Sequence, residues 1–232
     1  MPVLLALDSS TDTMALALVS PGQTKLFEAA GGAQASARML PEIKALLAAV
    51  GLQMDELDAI AFGQGPGAFT GLRTACSVTQ GLAFGLDKPV LAIDSLMLVA
   101  EDARAQGAGD DIWVAMDARI GEIYAAHYRW ANGAWVAVEA PALYAPAALA
   151  AHWGQPAAVA GSALTEYAAA LGSLGTLANA WPQARSRAAA LGALALAAWQ
   201  RGDTLDAAEA LPVYVRDKVA LTTAERALKA LQ

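Results

Sequence analysis

The sequence AFGQGPGAFTGLRTACSVTQGLAFGL, which spans residues 61–86, contains the most distinctive pattern in the chain. An apolar strand at its start leads into closely spaced glycines and one proline: Gly63, Gly65, Pro66, Gly67 and Gly71. Glycine permits positive φ angles and close backbone contact, and proline fixes one turn dihedral, so this segment predicts a shaped loop. Thr70 is the predicted N-cap of the helix that follows, and residues 74–86 carry no charge.

The helix after this loop lacks the charged side that a surface helix normally has. One face carries Leu72, Ala75, Cys76, Thr79, Leu82 and Ala83, and the opposite face carries Gly71, Thr74, Val78, Gly81 and Gly85. A helix that is apolar on all sides is normally buried on all sides. A sheet can cover the first face. Either a second helix of this chain or a partner subunit can cover the second face, and the residues alone leave both alternatives open.

The composition of the chain restricts its cellular location and the partners that it can bind. The 232 residues are 56% hydrophobic and only 16% charged, and the formal net charge is −7. An acidic chain lacks the basic footprint that direct nucleic-acid binding needs, so any role with RNA is expected to be indirect. A single cysteine, Cys76, excludes a disulfide framework within the chain. Because we find neither a signal peptide nor an apolar run of about 18 residues, we expect a cytoplasmic protein without membrane contact.

Hydrophobic periodicity and turn residues predict an α/β fold with an internal duplication. The first copy has predicted strands at residues 3–7, 14–19, 23–27, 58–62 and 89–93 and predicted helices at 36–50, 70–86 and 95–105. The second copy has strands at 112–117, 123–130, 134–138 and 157–160, a hairpin turn at Asn132 and Gly133, and helices at 146–153 and 162–171. Each copy has the order β-β-β-α-β-α. We therefore expect two lobes, at residues 1–108 and 109–232, with further helices at 188–201 and 223–231 in the second.

Four polar residues after the first strand form the first candidate site: Asp8, Ser9, Ser10 and Thr11. Their carboxylate, hydroxyl and backbone N–H groups can hold a metal or contact a phosphate. Alternatively, aspartate and serine bond to their own backbone in a capped β-turn. The sequence leaves both alternatives open. Asp117 closes the equivalent strand of the second copy, but the residues after it lack the glycine that close approach to a phosphate needs.

The glycine loop matches neither of the common nucleotide-binding patterns. No Gly-Lys-Ser/Thr follows it, and it lacks the G-x-G-x-x-G spacing. It can present N–H groups to an anion at a helix start, or it can be a purely structural turn. His127 and His152 are expected to have no acidic partner nearby, so neither is a candidate metal ligand or triad member. The residues therefore predict no nucleophile–base–acid set and no metal site built on histidine.

Six segments of the chain carry a family resemblance. They are LALDSSTDTMALAL at 5–18, MLPEIKALL at 39–47, FGQGPGAFTGLR at 62–73, GLAFGLDKPVLAIDSL at 81–96, MDARIGEIYAAHY at 116–128 and PVYVRD at 212–217. Together, in this order, they resemble the TsaB (YeaZ) family. Each motif alone is weak evidence, except the G-x-G-P-G-x-F-T-G-L-R run, which is specific evidence for this family. The resemblance implies two actin-like, ribonuclease-H-like lobes of the ASKHA type, in agreement with the duplication.

The resemblance also implies a function, that of a non-catalytic partner of the TsaD enzyme. With TsaE and TsaC-type proteins, TsaD installs threonylcarbamoyl on the adenosine beside the anticodon of tRNAs that read ANN codons. TsaD carries an H-x-x-x-H metal pair, and this chain has Ser95 and Val99 at the corresponding positions. Neither side chain can replace imidazole on a metal. The resemblance thus implies no cofactor bound by this chain alone, and tRNA contact only through the complex.

In the family, the first two helices of the first lobe pair with the matching helices of TsaD. Carried onto this chain, the interface residues are Met39, Leu40, Ile43, Leu47, Gly71, Leu72, Thr74, Cys76, Val78 and Gly81. The resemblance thereby favours a partner subunit as the cover of the uncharged helix, and without TsaD the same patch can form a homodimer. The alternative function is an actin-like small-molecule kinase that binds Mg-ATP at residues 8–11, at Asp117 and at the turn of residues 159–162.

Overall fold

The first half of the chain forms a five-stranded mixed sheet. The computed structural model describes residues 1–171 and 179–216. The strands of the first sheet are β1 (Leu4–Asp8), β2 (Thr13–Ser20), β3 (Gln23–Ala30), β4 (Ala59–Gly65) and β5 (Val90–Asp94). Their order across the sheet is β3-β2-β1-β4-β5. Strands β1 to β3 are antiparallel neighbours, whereas β1, β4 and β5 run parallel.

The second half repeats this sheet and confirms the predicted duplication. Its strands are β6 (Asp111–Asp117), β7 (Ile123–Ala131), β8 (Ala134–Tyr144), β9 (Val159–Ala160) and β10 (Ala180–Trp181), in the order β10-β9-β6-β7-β8. The predicted hairpin turn is also present, because Asn132 and Gly133 have φ angles of 54° and 79°, as a type I′ turn requires. The sequence pattern does not predict β10, since two residues carry no periodicity.

Helices connect the strands in both halves of the described chain. They are α1 (Ala35–Ala48), α2 (Phe69–Leu86), α3 (Ser95–Ala105), α4 (Pro146–Trp153), α5 (Ala163–Glu166), α6 (Ala168–Leu171) and α7 (Ala188–Arg201). The N-cap of α2 is Ala68 rather than the predicted Thr70. The helix predicted over residues 162–171 is divided at Tyr167. The helix predicted at residues 223–231 lies outside the described residues.

The two faces of the first sheet bury different layers. Because side chains alternate along a strand, Leu5 and Leu7 of β1 pack against α1 and α2, whereas Leu4 and Ala6 pack against α3, α7 and the second sheet. The predicted boundary at residue 108 falls between the two sheets, but α7, from the second half, packs on β1 and β2 of the first. None of the helices in the described ranges has the length and hydrophobicity needed to cross a bilayer.

Candidate functional site: an uncharged helix face and an interlobe cleft

The turn after β1 uses its polar groups inside the chain. Asp8 is 0% exposed, and its Oδ2 accepts hydrogen bonds from the hydroxyls of Ser10 at 2.9 Å and Ser186 at 2.6 Å. The hydroxyl of Ser9 donates to the carbonyl of Gly71 at 2.8 Å. Burial raises the pKa of Asp8 above its ordinary value, although the hydrogen bonds from Ser186 and Ser10 oppose this shift. These contacts are typical of a structural turn.

The glycine loop lies directly on this turn. The amide of Ala68 donates to the carbonyl of Ser10 at 2.7 Å. A Cβ atom on Gly67 would overlap the backbone of Ser10, and one on Gly71 would overlap the carbonyl of Ser9. Glycine permits this close approach because it has no Cβ atom. The loop therefore occupies the space directly beside the turn, which favours the β-turn interpretation of the turn over metal or phosphate binding.

Six of the ten predicted interface residues lie inside the chain's own core. These residues are Met39, Ile43, Leu47, Gly71, Leu72 and Cys76. Most of them pack in one core cluster with the apolar side chains of the first sheet, on the inner sides of α1 and α2. The thiol of Cys76 donates to the carbonyl of Ala210 at 3.1 Å, and burial raises its pKa. These buried residues hold the two helices in place and offer no side-chain surface to a partner.

The outer side of the helix pair is open in the described structure. The other four predicted interface residues are at least partly exposed there: Leu40, Thr74, Val78 and Gly81. Phe84 extends this surface with 83% exposure, and a Cβ atom on Gly81 or Gly85 would meet no atom within 4 Å. Arg73 is the only charged residue of α2. Exposed apolar surface of this kind is typical of contact sites, and these outward positions are the part of the predicted interface that a partner could reach; the interface itself stays a prediction.

A cleft with a volume of about 410 Å³ lies between the two lobes. The guanidinium group of Arg119 contacts Asp12 of the first lobe at 2.9 Å and Asp117 of the second at 3.3 Å. The hydroxyl of Tyr167 also donates to Asp117, at 2.8 Å. Desolvation and the Asp117 carboxylate raise the pKa of Tyr167 to about 12. Asp117 is therefore engaged by groups of the chain itself.

Two positions that matter for metal chemistry also line this cleft. They are Ser95 and Val99, the positions where the family resemblance places the histidine pair of TsaD. The Ser95 hydroxyl accepts a hydrogen bond from the amide of Gly65 at 3.0 Å, so it supports the glycine loop. Across residues 1–171 and 179–216, no group of three or more His, Cys, Asp or Glu side chains is placed to hold a metal ion.

The segment of residues 211–216, named here the strap, joins the two lobes near the start of α2. The amide of Val213 donates to the carbonyl of Gln64 in β4 at 2.7 Å. The guanidinium of Arg216 donates to two carbonyls of the turn between β6 and β7 and pairs with Glu122 at 2.7 Å. The sequence pattern does not predict that the strap joins the lobes. The one residue in PVYVRD that could have suggested such a contact is its arginine, Arg216.

Both histidines have an acidic partner, so the expectation that they have none is wrong. Nε2 of His127 lies 2.6 Å from Oδ1 of Asp111, and Nε2 of His152 lies 2.7 Å from Oε2 of Glu139. The pairing of β6 with β7 and the packing of α4 bring these groups together across separations of 16 and 13 residues. Partial burial acts to raise the pKa of Asp111, but His127 and Arg129 outweigh it and lower that pKa.

Comparisons with known proteins agree on one family. The family described as "TsaD: tRNA N6-adenosine threonylcarbamoyltransferase" matches residues 19–222. A Haemophilus influenzae protein named tRNA threonylcarbamoyladenosine biosynthesis protein TsaB is 40% identical over 121 residues, which are 52% of this chain and 51% of that protein. The Escherichia coli protein of the same name is 33% identical over 144 residues, which are 62% of each chain. The chain therefore spans between 51% and 62% of the length of these relatives.

A solved structure covers more of the chain. The structure of YeaZ from Pseudomonas aeruginosa has a TM-score of 0.83 and 37% sequence identity, and the match covers 92% of this chain and 100% of that one. This likeness confirms the two-lobed, actin-like and ribonuclease-H-like fold that the six motifs imply. The chain belongs to the TsaB (YeaZ) family, within the broader family that the TsaD description covers.

Proposed function

We propose that the chain is a non-catalytic subunit in the biosynthesis of tRNA threonylcarbamoyladenosine and that it pairs with a TsaD-type transferase. The observation that carries this proposal is the outer side of α2. It has no charge in residues 74–86, exposes Phe84 and is open at Gly81 and Gly85. Covering such a surface with another helix removes apolar area from water, which stabilises the contact by about 25 cal/mol per Å².

The family supports a helix-on-helix contact between related chains. The relatives carry the name of the modification pathway, and the family description is that of the transferase. If both chains present the same helix pair, α1 and α2 can pack against their counterparts in a pseudo-symmetric arrangement. Without the transferase, the same surface pairs two copies of this chain. TsaE joins this complex, and tRNA contacts it indirectly because a chain of net charge −7 has no basic footprint.

Two further observations favour a non-catalytic role for this chain. Ser95 and Val99 stand where the transferase has metal-binding histidines, and both are buried, so neither position offers a ligand. The alternative of a Mg-ATP kinase has less support, because Asp8 is enclosed by Ser10 and Ser186 and has no exposed surface.

The test adds charge to the outer side of α2 with the double substitution Val78→Lys and Gly81→Lys. Gly81 has room for a side chain, and replacing glycine inside a helix favours folding by about 0.5–1 kcal/mol, which offsets part of the packing that the half-buried Val78 loses, so the chain is expected to fold. Calorimetry and size exclusion measure binding to TsaD, and mass spectrometry of nucleosides measures tRNA modification in the reconstituted system. We expect affinity to fall by at least about tenfold, since an apolar contact must then bury two unpaired charges.

A control variant places lysine on an exposed valine away from the helix pair. Val136 lies on β8 in the second lobe and is 53% exposed, so Val136→Lys adds charge far in sequence from the helix pair. This variant is expected to bind TsaD and to support modification as the wild type does. Wild-type affinity in the α2 double variant would show that this surface is not the contact, and the proposal would fail.

A further inference from the structure

The interlobe cleft is lined by residues other than those of the proposed subunit contact. Its volume of about 410 Å³ lies within the range of roughly 300–1,000 Å³ that is usual for small-molecule sites. The accessible apolar part of its lining includes Met116 and Pro182, with Leu96 and Val99 buried behind it, and polar residues of both lobes also line the cleft. A concave surface that combines an apolar lining with a few polar groups is the usual form of a ligand site.

Several polar side chains of the cleft are already paired within the chain. The Ser162 hydroxyl accepts from the amide of Asp117 at 3.1 Å, and Arg119 pairs with Asp12 and Asp117. Four other lining side chains make no hydrogen bond or ion pair within residues 1–171 and 179–216: Tyr124, Thr165, Glu166 and Gln183. A phenol, a hydroxyl, a carboxylate and an amide thus belong to residues that line one cleft, and no partner in the described residues occupies them.

The charges of the cleft determine which ligand it can accept. Among the described residues that line it, three are acidic, Asp12, Asp117 and Glu166, and one is basic, Arg119. Arg119 is shared by the first two, so Glu166 has no counter-charge in the described part of the chain. A polyphosphate would be repelled by this excess of negative charge, whereas an ammonium group would be attracted by it.

We propose that this cleft binds a small organic amine with an apolar body, whose ammonium group pairs with Glu166. The ammonium group donates charge-assisted hydrogen bonds to the carboxylate, and the apolar body packs against the partly exposed Met116 and Pro182. Tyr124 and Gln183 can bond to a further polar group of the ligand. This site is independent of the proposed subunit contact, so either proposal can fail without the other.

The first test compares three probes of the same shape but different charge. Tyramine carries an ammonium group, tyrosol carries a hydroxyl group, and 4-hydroxyphenylacetate carries a carboxylate at the end of the same aromatic body. Calorimetry and saturation-transfer NMR on the full chain measure their binding. We expect tyramine to bind, and the other two to bind at least about threefold more weakly, because they cannot form the charged hydrogen bond with Glu166.

The second test locates the binding. Glu166 is exposed and unpaired in the described structure, so Glu166→Gln is expected to fold and to pair with TsaD normally while its affinity for tyramine falls by about three- to fivefold, because solvent screens an exposed ion pair. Glu209→Gln removes an exposed carboxylate outside the cleft lining and is expected to leave tyramine binding unchanged. Absence of tyramine binding, equal binding of the three probes, or an equal effect of the two substitutions would overturn the proposal.

Discussion

Among the single residues of this chain, Asp8 shows most directly how burial changes an ionisable group. Its carboxyl group has no exposed surface and accepts hydrogen bonds from Ser10 and Ser186. Burial disfavours the charged form and raises the pKa. The folded chain therefore keeps this proton at pH values where the unfolded chain has released it. Its contribution to the free energy of unfolding is fully present below the ordinary aspartate pKa and is lost as pH rises through the folded pKa.

Replacing Asp8 with asparagine should remove this pH dependence. The amide keeps one acceptor oxygen, and the hydroxyls of Ser10 and Ser186 can rotate to accept from its NH₂ group. We expect Asp8→Asn to gain stability relative to the wild type as pH rises from about 4 to about 7, measured by urea unfolding. The matched control is Asp55→Asn, because Asp55 is exposed. Parallel pH curves for the wild type and Asp8→Asn would contradict the expectation.

For the helices and strands, the sequence pattern predicts the bounds of those elements whose stabilising contacts lie within the element itself. The bounds of α4 and α7 follow from their sequence, because hydrophobic spacing and end residues lie within each helix. The start of α2 does not, since the amide of Ala68 bonds to Ser10, on a distant turn. Prediction of the partner surface is limited in the same way, because it depends on contacts outside the helix. Periodicity locates residues that are buried, such as Leu72 and Ile43, without showing whether the chain or a partner covers them.

Two glycines of α2 should respond oppositely to alanine. Gly71 lies against the carbonyl of Ser9, so the methyl group of Gly71→Ala must displace backbone, at a cost of about 1–3 kcal/mol in the free energy of unfolding. Gly81 is open, so Gly81→Ala should instead stabilise the chain by about 1 kcal/mol through helix propensity. Urea unfolding of both variants measures the difference. Equal effects would mean that the glycine loop does not pack on the turn as described.

In the whole molecule, the second half of the chain returns to hold the first. Ser186 bonds to Asp8, α7 packs on the first sheet, and the strap crosses from the first lobe to the turn between β6 and β7. The strap also meets α2, where Nε of Arg73 donates to the hydroxyl of Tyr214 at 2.9 Å. The helix proposed as the partner surface and the cleft between the lobes are therefore connected by one short segment of chain.

We expect the strap to stabilise the arrangement of the two lobes through Arg216. Its side chain is only 12% exposed, and Arg216→Ala removes its donors to the carbonyls of Ala118 and Arg119 and to the carboxylate of Glu122, although the Arg119 carbonyl keeps the amide of Glu122. We expect a loss of about 2–3 kcal/mol in the free energy of unfolding, measured with urea. Arg216→Lys should be intermediate, because a lysine keeps the charge but cannot reach several acceptors at once.

The comparison for Arg216→Ala is an exposed arginine in the same half of the chain. Arg201 pairs with Asp203 at 2.8 Å, and the two side chains are 47% and 54% exposed. Solvent screens such a pair, so Arg201→Ala should cost less than about 1 kcal/mol. If the two alanine variants lose the same stability, the strap does not hold the lobes together. If Arg216→Ala alone is destabilised, and its affinity for TsaD falls while Arg201→Ala binds normally, the strap also sets the position of α2 for its partner.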